Sequence, residues 1–196
     1  MSVPGFYGKL ASCGDFVTRD LAPGFTQPWD AWLAAGMQAS RRQLGEDWLS
    51  AYLVCPLWRF ALAAGVCGPN AVAGILMPSI DRVGRYFPLT VAQILEPGQS
   101  VAGLVNGAEA WFDRVETLMV STLDQGVGFG VFEVALSRLG TVPVLPDNPV
   151  SHVACERASV WWGNDAEGAS RESIRCTGLP DPQRFGCYLL GRRAEV

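Results

Sequence analysis

Residues 60–80 contain no charged side chain, and this run limits the fold more than any other feature. At 21 residues it is long enough to meet the roughly 20 that a helix needs to cross a bilayer. Gly68-Pro69-Asn70 interrupts it near the middle, and Pro78 lies near its end. Gly-Pro is a turn signal, and neither half is long enough to span alone. The run therefore reads as buried strands at 57–64 and 71–77 joined by a turn. A third strand is expected at 87–95, where Thr90, Val91 and Ile94 are β-branched and Pro97-Gly98 follows. Connections this short imply antiparallel neighbours.

The remaining elements follow from periodicity and punctuation. An aromatic strand is expected at 4–10 and a polar loop at 12–20. A helix at 27–44 would have Thr26 as its cap, Pro28 in its first turn and Gly45 as its stop. A helical turn at 46–52 and helices at 100–123 and 129–139 complete the middle of the chain. A proline-containing connector covers 141–150. Strands at 159–162 and 173–177 flank an acidic loop at 165–170, and Asp181-Pro182 opens a last short helix. The chain has 196 residues, 49% hydrophobic and 17% charged, enough apolar material for a core without a metal or disulfide staple. One domain over residues 1–196 is expected. Its class is α/β: a single-domain three-layer α-β-α sandwich with a mixed, partly antiparallel central sheet.

Composition removes several function classes. A formal net charge of -4 disfavours nucleic acid and anionic membrane, which select a basic face. The N-terminus lacks the basic and apolar regions of a secretory signal. Six cysteines, Cys13, Cys55, Cys67, Cys155, Cys176 and Cys187, form no CxxC pair and match no zinc spacing. Reduced thiols, no metal, no cofactor and a cytoplasmic location are expected. There is no Gly-x-Ser-x-Gly elbow, P-loop or dinucleotide fingerprint. Gly126, Gly128 and Gly130 follow a helix and read as its break. His152 is the single histidine, too little for a multi-His site. Trp29, Trp32, Trp161 and Trp162 read as core and sheet-face aromatics.

Two polar segments stand out. One is Pro78-Ser79-Ile80-Asp81-Arg82-Val83-Gly84-Arg85, between two apolar strands; the other is Gly14-Asp15-Phe16. Asp81 and Asp15 suit turn formation, with an arginine paired to Asp81. The same types suit recognition of a carboxylate or phosphate through guanidinium forks. The candidate partner-binding residues are Arg82, Asp81, Arg85, Ser79 and Asp15, with no catalytic residue assigned. Arg85 is expected to be the mostly buried clamp and Arg82 the exposed member. The alternative is a small hydrolase or phosphate-handling enzyme using Asp15, Asp81, Arg82 and Arg85.

Gly5-Phe6-Tyr7-Gly8-Lys9-Leu10, Ser12 and Gly14-Asp15-Phe16 resemble the opening of the TagF family, accessory proteins of bacterial type VI secretion systems. Trp29-Asp30, Trp32-Leu33, Pro56 and Trp58-Arg59-Phe60 resemble its next segments. Its central block is matched by Pro78-Ser79, Asp81, Gly84-Arg85 and Phe87-Pro88-Leu89. Val160-Trp161-Trp162, Gly178-Leu179-Pro180 and Phe185 resemble its C-terminal part. Ala11 stands where the family pattern has proline. The resemblance implies a non-catalytic cytoplasmic regulator, a post-translational repressor of type VI secretion. It also implies an α/β three-layer fold and a partner, the system's forkhead-associated-domain protein.

Overall fold

The computed structural model of the chain describes residues 3–99, 104–143, 157–163 and 173–191. The uncharged run becomes a hairpin. Strand β3 (Trp58–Leu62) pairs antiparallel with β4 (Val72–Met77), Phe60 opposite Gly74. The turn between them closes through Gly65 N–H donating to the Gly68 carbonyl at 2.8 Å. Strand β5 (Leu89–Ile94) pairs with β4 as expected. Strand β1 (Gly5–Gly8) adds to β5, and β2 (Val17–Arg19) adds to β1. On the other side β6 (Ala158–Trp162) pairs with β3, and β7 (Ile174–Thr177) with β6. The seven-stranded order is β2-β1-β5-β4-β3-β6-β7.

Every one of these pairings is antiparallel, which corrects the expected mixed sheet. Helical crossovers normally bring parallel strands side by side. Here the crossover from β2 to β3 joins strands of the same direction that have β1, β5 and β4 between them. Co-directional strands exist but are not neighbours.

The central strands are buried along nearly their whole length, so β4 is apolar throughout instead of alternating, while β3 carries the buried Arg59 and β5 the buried Thr90 and Gln93. Trp58, Phe60, Leu62 and Val72 pack with helix α1 (Pro23–Leu44), α2 (Trp48–Leu53) and the late helix Phe185–Leu189. Ala61, Ala73, Ile75 and Met77 pack with α3 (Leu104–Gly107), α4 (Glu109–Ser121) and α5 (Phe129–Arg138). The late helix is α6. Trp29, Trp32, Trp161 and Trp162 are all buried, core aromatics as expected.

Helix boundaries differ in places. α1 starts at Pro23, which supplies the preset φ of a first helical residue. Pro28 therefore lies inside the helix, and the Thr26 hydroxyl bonds back to the Ala22 carbonyl at 3.5 Å instead of capping. The helix expected at 100–123 is divided at Ala108, whose carbonyl accepts from Trp111 and Phe112 N–H and starts α4 anew. Strand β2 lies in the expected loop at 12–20. The Asp181 carboxylate accepts from Gln183 N–H at 2.9 Å and opens the 3-10 turn that leads to α6. His152, Cys155 and the loop at 165–170 lie outside the described residues. Among the described residues no helix is long and apolar enough to cross a membrane.

Candidate functional site

The two polar segments meet at one corner of the sheet. β1 pairs with β5 through Tyr7 opposite Thr90, which brings Lys9 beside the loop that precedes β5. Gly8, at φ +135, sits where a Cβ would fall 2.1 Å from the Pro88 carbonyl. Only glycine permits so close an approach of the strands.

Asp81 is the hub of the corner. It is buried, and its Oδ2 accepts from Lys9 Nζ and from Arg85 Nε at 2.7 Å. Its Oδ1 accepts from Val83 N–H at 3.0 Å and Arg85 N–H at 2.9 Å. Burial alone would raise its pKa. The hydrogen bonds from Lys9, Arg85 and Val83 outweigh that effect and hold the carboxyl well below the usual carboxylate range. Asp81 is thus a fixed anion and a poor proton carrier near neutrality.

Gly14-Asp15-Phe16 closes the corner from the other side. The Gly14 carbonyl accepts from Arg85 Nη2, and the Cys13 carbonyl accepts from Arg82 N–H at 2.8 Å. Phe16 lies over Lys9, its ring centroid 4.6 Å from Nζ. Asp15 is fully exposed, with Oδ1 3.8 Å from Arg85 Nη2. Ser79 is buried; its hydroxyl donates to the Lys9 carbonyl at 2.8 Å, and its backbone bonds the Tyr52 hydroxyl.

Arg85 is the expected clamp, but its expected burial is corrected: its side chain is 58% exposed. The buried cation is Lys9, which sequence reasoning missed. Its one signal was being the single lysine, set among apolar residues at the end of an aromatic strand. Arg82 is exposed, as expected. Of the five candidate residues, Asp81 and Ser79 are inside, while Arg82, Arg85 and Asp15 face solvent.

A second charge cluster was also missed. Arg59, in the middle of β3, is 1% exposed and lies beneath α4. It donates to Glu109, to Asp113 at 2.6 Å and to Glu116 at 2.7 and 2.8 Å. Burial acts to lower the Arg59 pKa, but its hydrogen bonds to the Glu116 and Asp113 carboxylates outweigh that effect and raise it. The available signal was an arginine between Trp58 and Phe60, with acids at 109, 113 and 116 on one helix face. The carboxylates lie toward the rim, so this cluster ties helix to sheet.

An apolar cavity of about 210 Å³ opens beside Tyr52, Met77, Pro78, Ile80, Tyr86 and Leu123. Asp15, Asp81, Arg82 and Arg85 are not part of its lining. Among the described residues, no group of three or more His, Cys, Asp or Glu is placed to hold a metal. Burial pushes the Cys67 thiol up to about 11, away from thiolate chemistry.

Residues 5–139 match the family model of the TagF N-terminal domain, type VI secretion system-associated. A crystal structure of PA0076 from Pseudomonas aeruginosa PAO1 superposes with a TM-score of 0.88 at 45% identity. The match covers 98% of this chain and 96% of that one. Comparison with curated proteins gave no match. The motifs that build the Asp81 corner, Gly5 to Phe16 and Pro78 to Leu89, both fall inside the matched span. The chain belongs to the TagF N-terminal domain family of type VI secretion system-associated proteins.

Proposed function

We propose that the protein is a non-catalytic cytoplasmic regulator, a post-translational repressor of a type VI secretion system that acts by protein–protein contact. Its partner in this reading is the system's forkhead-associated-domain protein. Residues 1–196 act as one TagF-like domain, a three-layer arrangement with helices on both faces of the sheet. The observation that carries the reading is the state of Asp81. Four donors occupy its two oxygens, which suits an anchor for a presented loop. A general acid or base needs a pKa near the working pH and a free oxygen. The hydrolase reading needs Asp15, Asp81, Arg82 and Arg85 to converge on a pocket. Instead, Asp81 is enclosed and Asp15 stands in solvent.

The test is secretion by the native host. Deleting the gene should raise release of the system's substrates, and supplying the intact chain should restore repression. Purified chain should also retain the forkhead-associated-domain protein in a pull-down. Unchanged secretion in both strains would reject the regulatory role.

A further inference from the structure

We propose that residues 13–16 and 81–85 together form a docking corner for an acidic segment of a partner protein, with Arg82 as the carboxylate-binding fork. This extends the protein-contact role proposed above by naming its surface and the chemistry of what it receives.

The two arginines of the corner are not equivalent. Arg85 is already committed, to Asp81 through Nε and to the Gly14 carbonyl through Nη2. The exposed Arg82 guanidinium has no hydrogen bond or ion pair among the described residues. Its backbone is nevertheless fixed. Arg82 N–H donates to the Cys13 carbonyl at 2.8 Å, and the next residue, Val83, donates its N–H to Asp81. A fork held this way loses little backbone freedom on binding.

Two apolar side chains lie in the same pair of loops. Phe16 is 49% exposed and Val83 65% exposed. Phe16 is also braced, stacked on Tyr7 at 5.9 Å and edge-on to Phe87 at 4.9 Å. A braced aromatic and an uncommitted arginine in two loops joined by a backbone bond have the composition of an interface hot spot. Charge selects the partner. Lys9, Arg82 and Arg85 stand against Asp15 and Asp81, a surplus of one positive charge on a chain of net charge -4. The corner complements an acidic segment and repels a basic one.

Asp15 supplies a sign-specific test. At 3.8 Å from Arg85 it is beyond good hydrogen-bond distance. It is a loosely held internal carboxylate beside the place where an external one would sit, so removing its charge should help binding. A merely structural Asp15 would not behave so.

The experiment measures fluorescence anisotropy of the full chain with labelled synthetic peptides at low salt. One peptide alternates Glu with Leu, a second replaces each Glu by Lys, and a third replaces one Glu by phosphothreonine. The Glu peptide should bind about tenfold more tightly than the Lys peptide. Arg82→Ala should weaken it roughly fivefold with an unchanged melting temperature, and Asp15→Asn should tighten it about twofold. Arg82→Glu should reverse the preference between the two peptides.

Equal binding of both peptides, no binding, or indifference to Arg82→Glu would overturn the assignment. A phosphothreonine peptide bound more than about tenfold above the Glu peptide would replace carboxylate by phosphate as the ligand. A concentration-dependent dimer in sedimentation, dissolved by Arg82→Glu, would put a second copy of the chain in the partner's place. If the Glu peptide binds as described and Arg82→Glu still represses secretion normally, the surface is wrong and the regulatory role survives. Peptide binding as described, without any secretion phenotype on gene deletion, would instead keep the docking surface and remove the regulatory role.

Discussion

Asp81 has its two oxygens filled by Lys9, Val83 and Arg85, and this predicts how the protein responds to acid. Its folded pKa lies below the unfolded value of about 3.9. The stabilisation it gives is therefore complete above the unfolded value and is lost as pH falls through the folded one. Acid titrations of unfolding should show Asp81→Asn with a shallower loss of stability below about pH 4 than the wild type. Parallel curves would contradict the assignment. The cations of the corner should rank by burial. Lys9→Met removes the buried cation from Asp81, leaving Arg85 and two backbone N–H donors, and its melting temperature should fall by about 10 °C. Arg85→Ala opens a solvent-facing position and should cost only a few degrees. A larger loss for Arg85→Ala than for Lys9→Met would reverse the ranking. The pairing of Asp81 with an arginine four residues on was legible in the sequence, since both partners lie in one turn. Lys9 was not, because it reaches Asp81 only through the pairing of β1 with β5, and no local rule links residues 9 and 81.

At the scale of elements, the strands around the uncharged run were legible because two-sided burial leaves unbroken apolar stretches between turn residues. β2 was not legible: it has three residues, of which only Val17 is half-buried at the edge of the sheet. The expected helix at 100–123 continued its apolar spacing across Ala108, where the backbone breaks to start α4. Contact between α1 and α6 depends on one small residue. A Cβ added at Gly36 would lie 2.5 Å from the Phe185 ring. Gly36→Ala should improve helix propensity by about 1 kcal/mol, yet force the buried ring of Phe185 to move. Overpacking of this kind costs about 1–3 kcal/mol, so the net change in chemical denaturation should be a loss of stability. Adding Phe185→Leu to that variant should recover part of it. Stabilisation by Gly36→Ala alone would mean that α6 is not seated against α1 in solution.

At the scale of the whole molecule, the sheet extends beyond the span matched by the family. The family model ends at residue 139, but β6 completes the sheet beside β3, with Arg59 opposite Trp162 and Phe60 opposite Trp161. Trp161 is 1% exposed and packs on Trp29, Trp32 and Phe60 with ring centroids 5.3–6.0 Å apart. Trp32 Nε1 donates to the Pro180 carbonyl at 2.7 Å, and Trp58 Nε1 to the Tyr188 carbonyl at 3.2 Å. A chain cut after residue 143 would leave both indoles without those acceptors and β3 without its neighbour. It would also lose the buried side chains of Trp161, Phe185 and Tyr188, each worth roughly 2–3 kcal/mol of apolar burial. That loss is of the order of the 5–15 kcal/mol that holds an entire domain folded. An exposed apolar edge at β3 would further invite strand-to-strand association. Residues 1–143 alone should therefore be aggregated, or compact without fixed packing, with far-UV dichroism retained and near-UV aromatic signals lost. Supplying residues 157–191 as a separate peptide should restore the near-UV signal if the missing sheet edge is the cause. A monomeric 1–143 fragment with native near-UV dichroism would show that β6, β7 and α6 are an accessory layer and that the matched span folds alone.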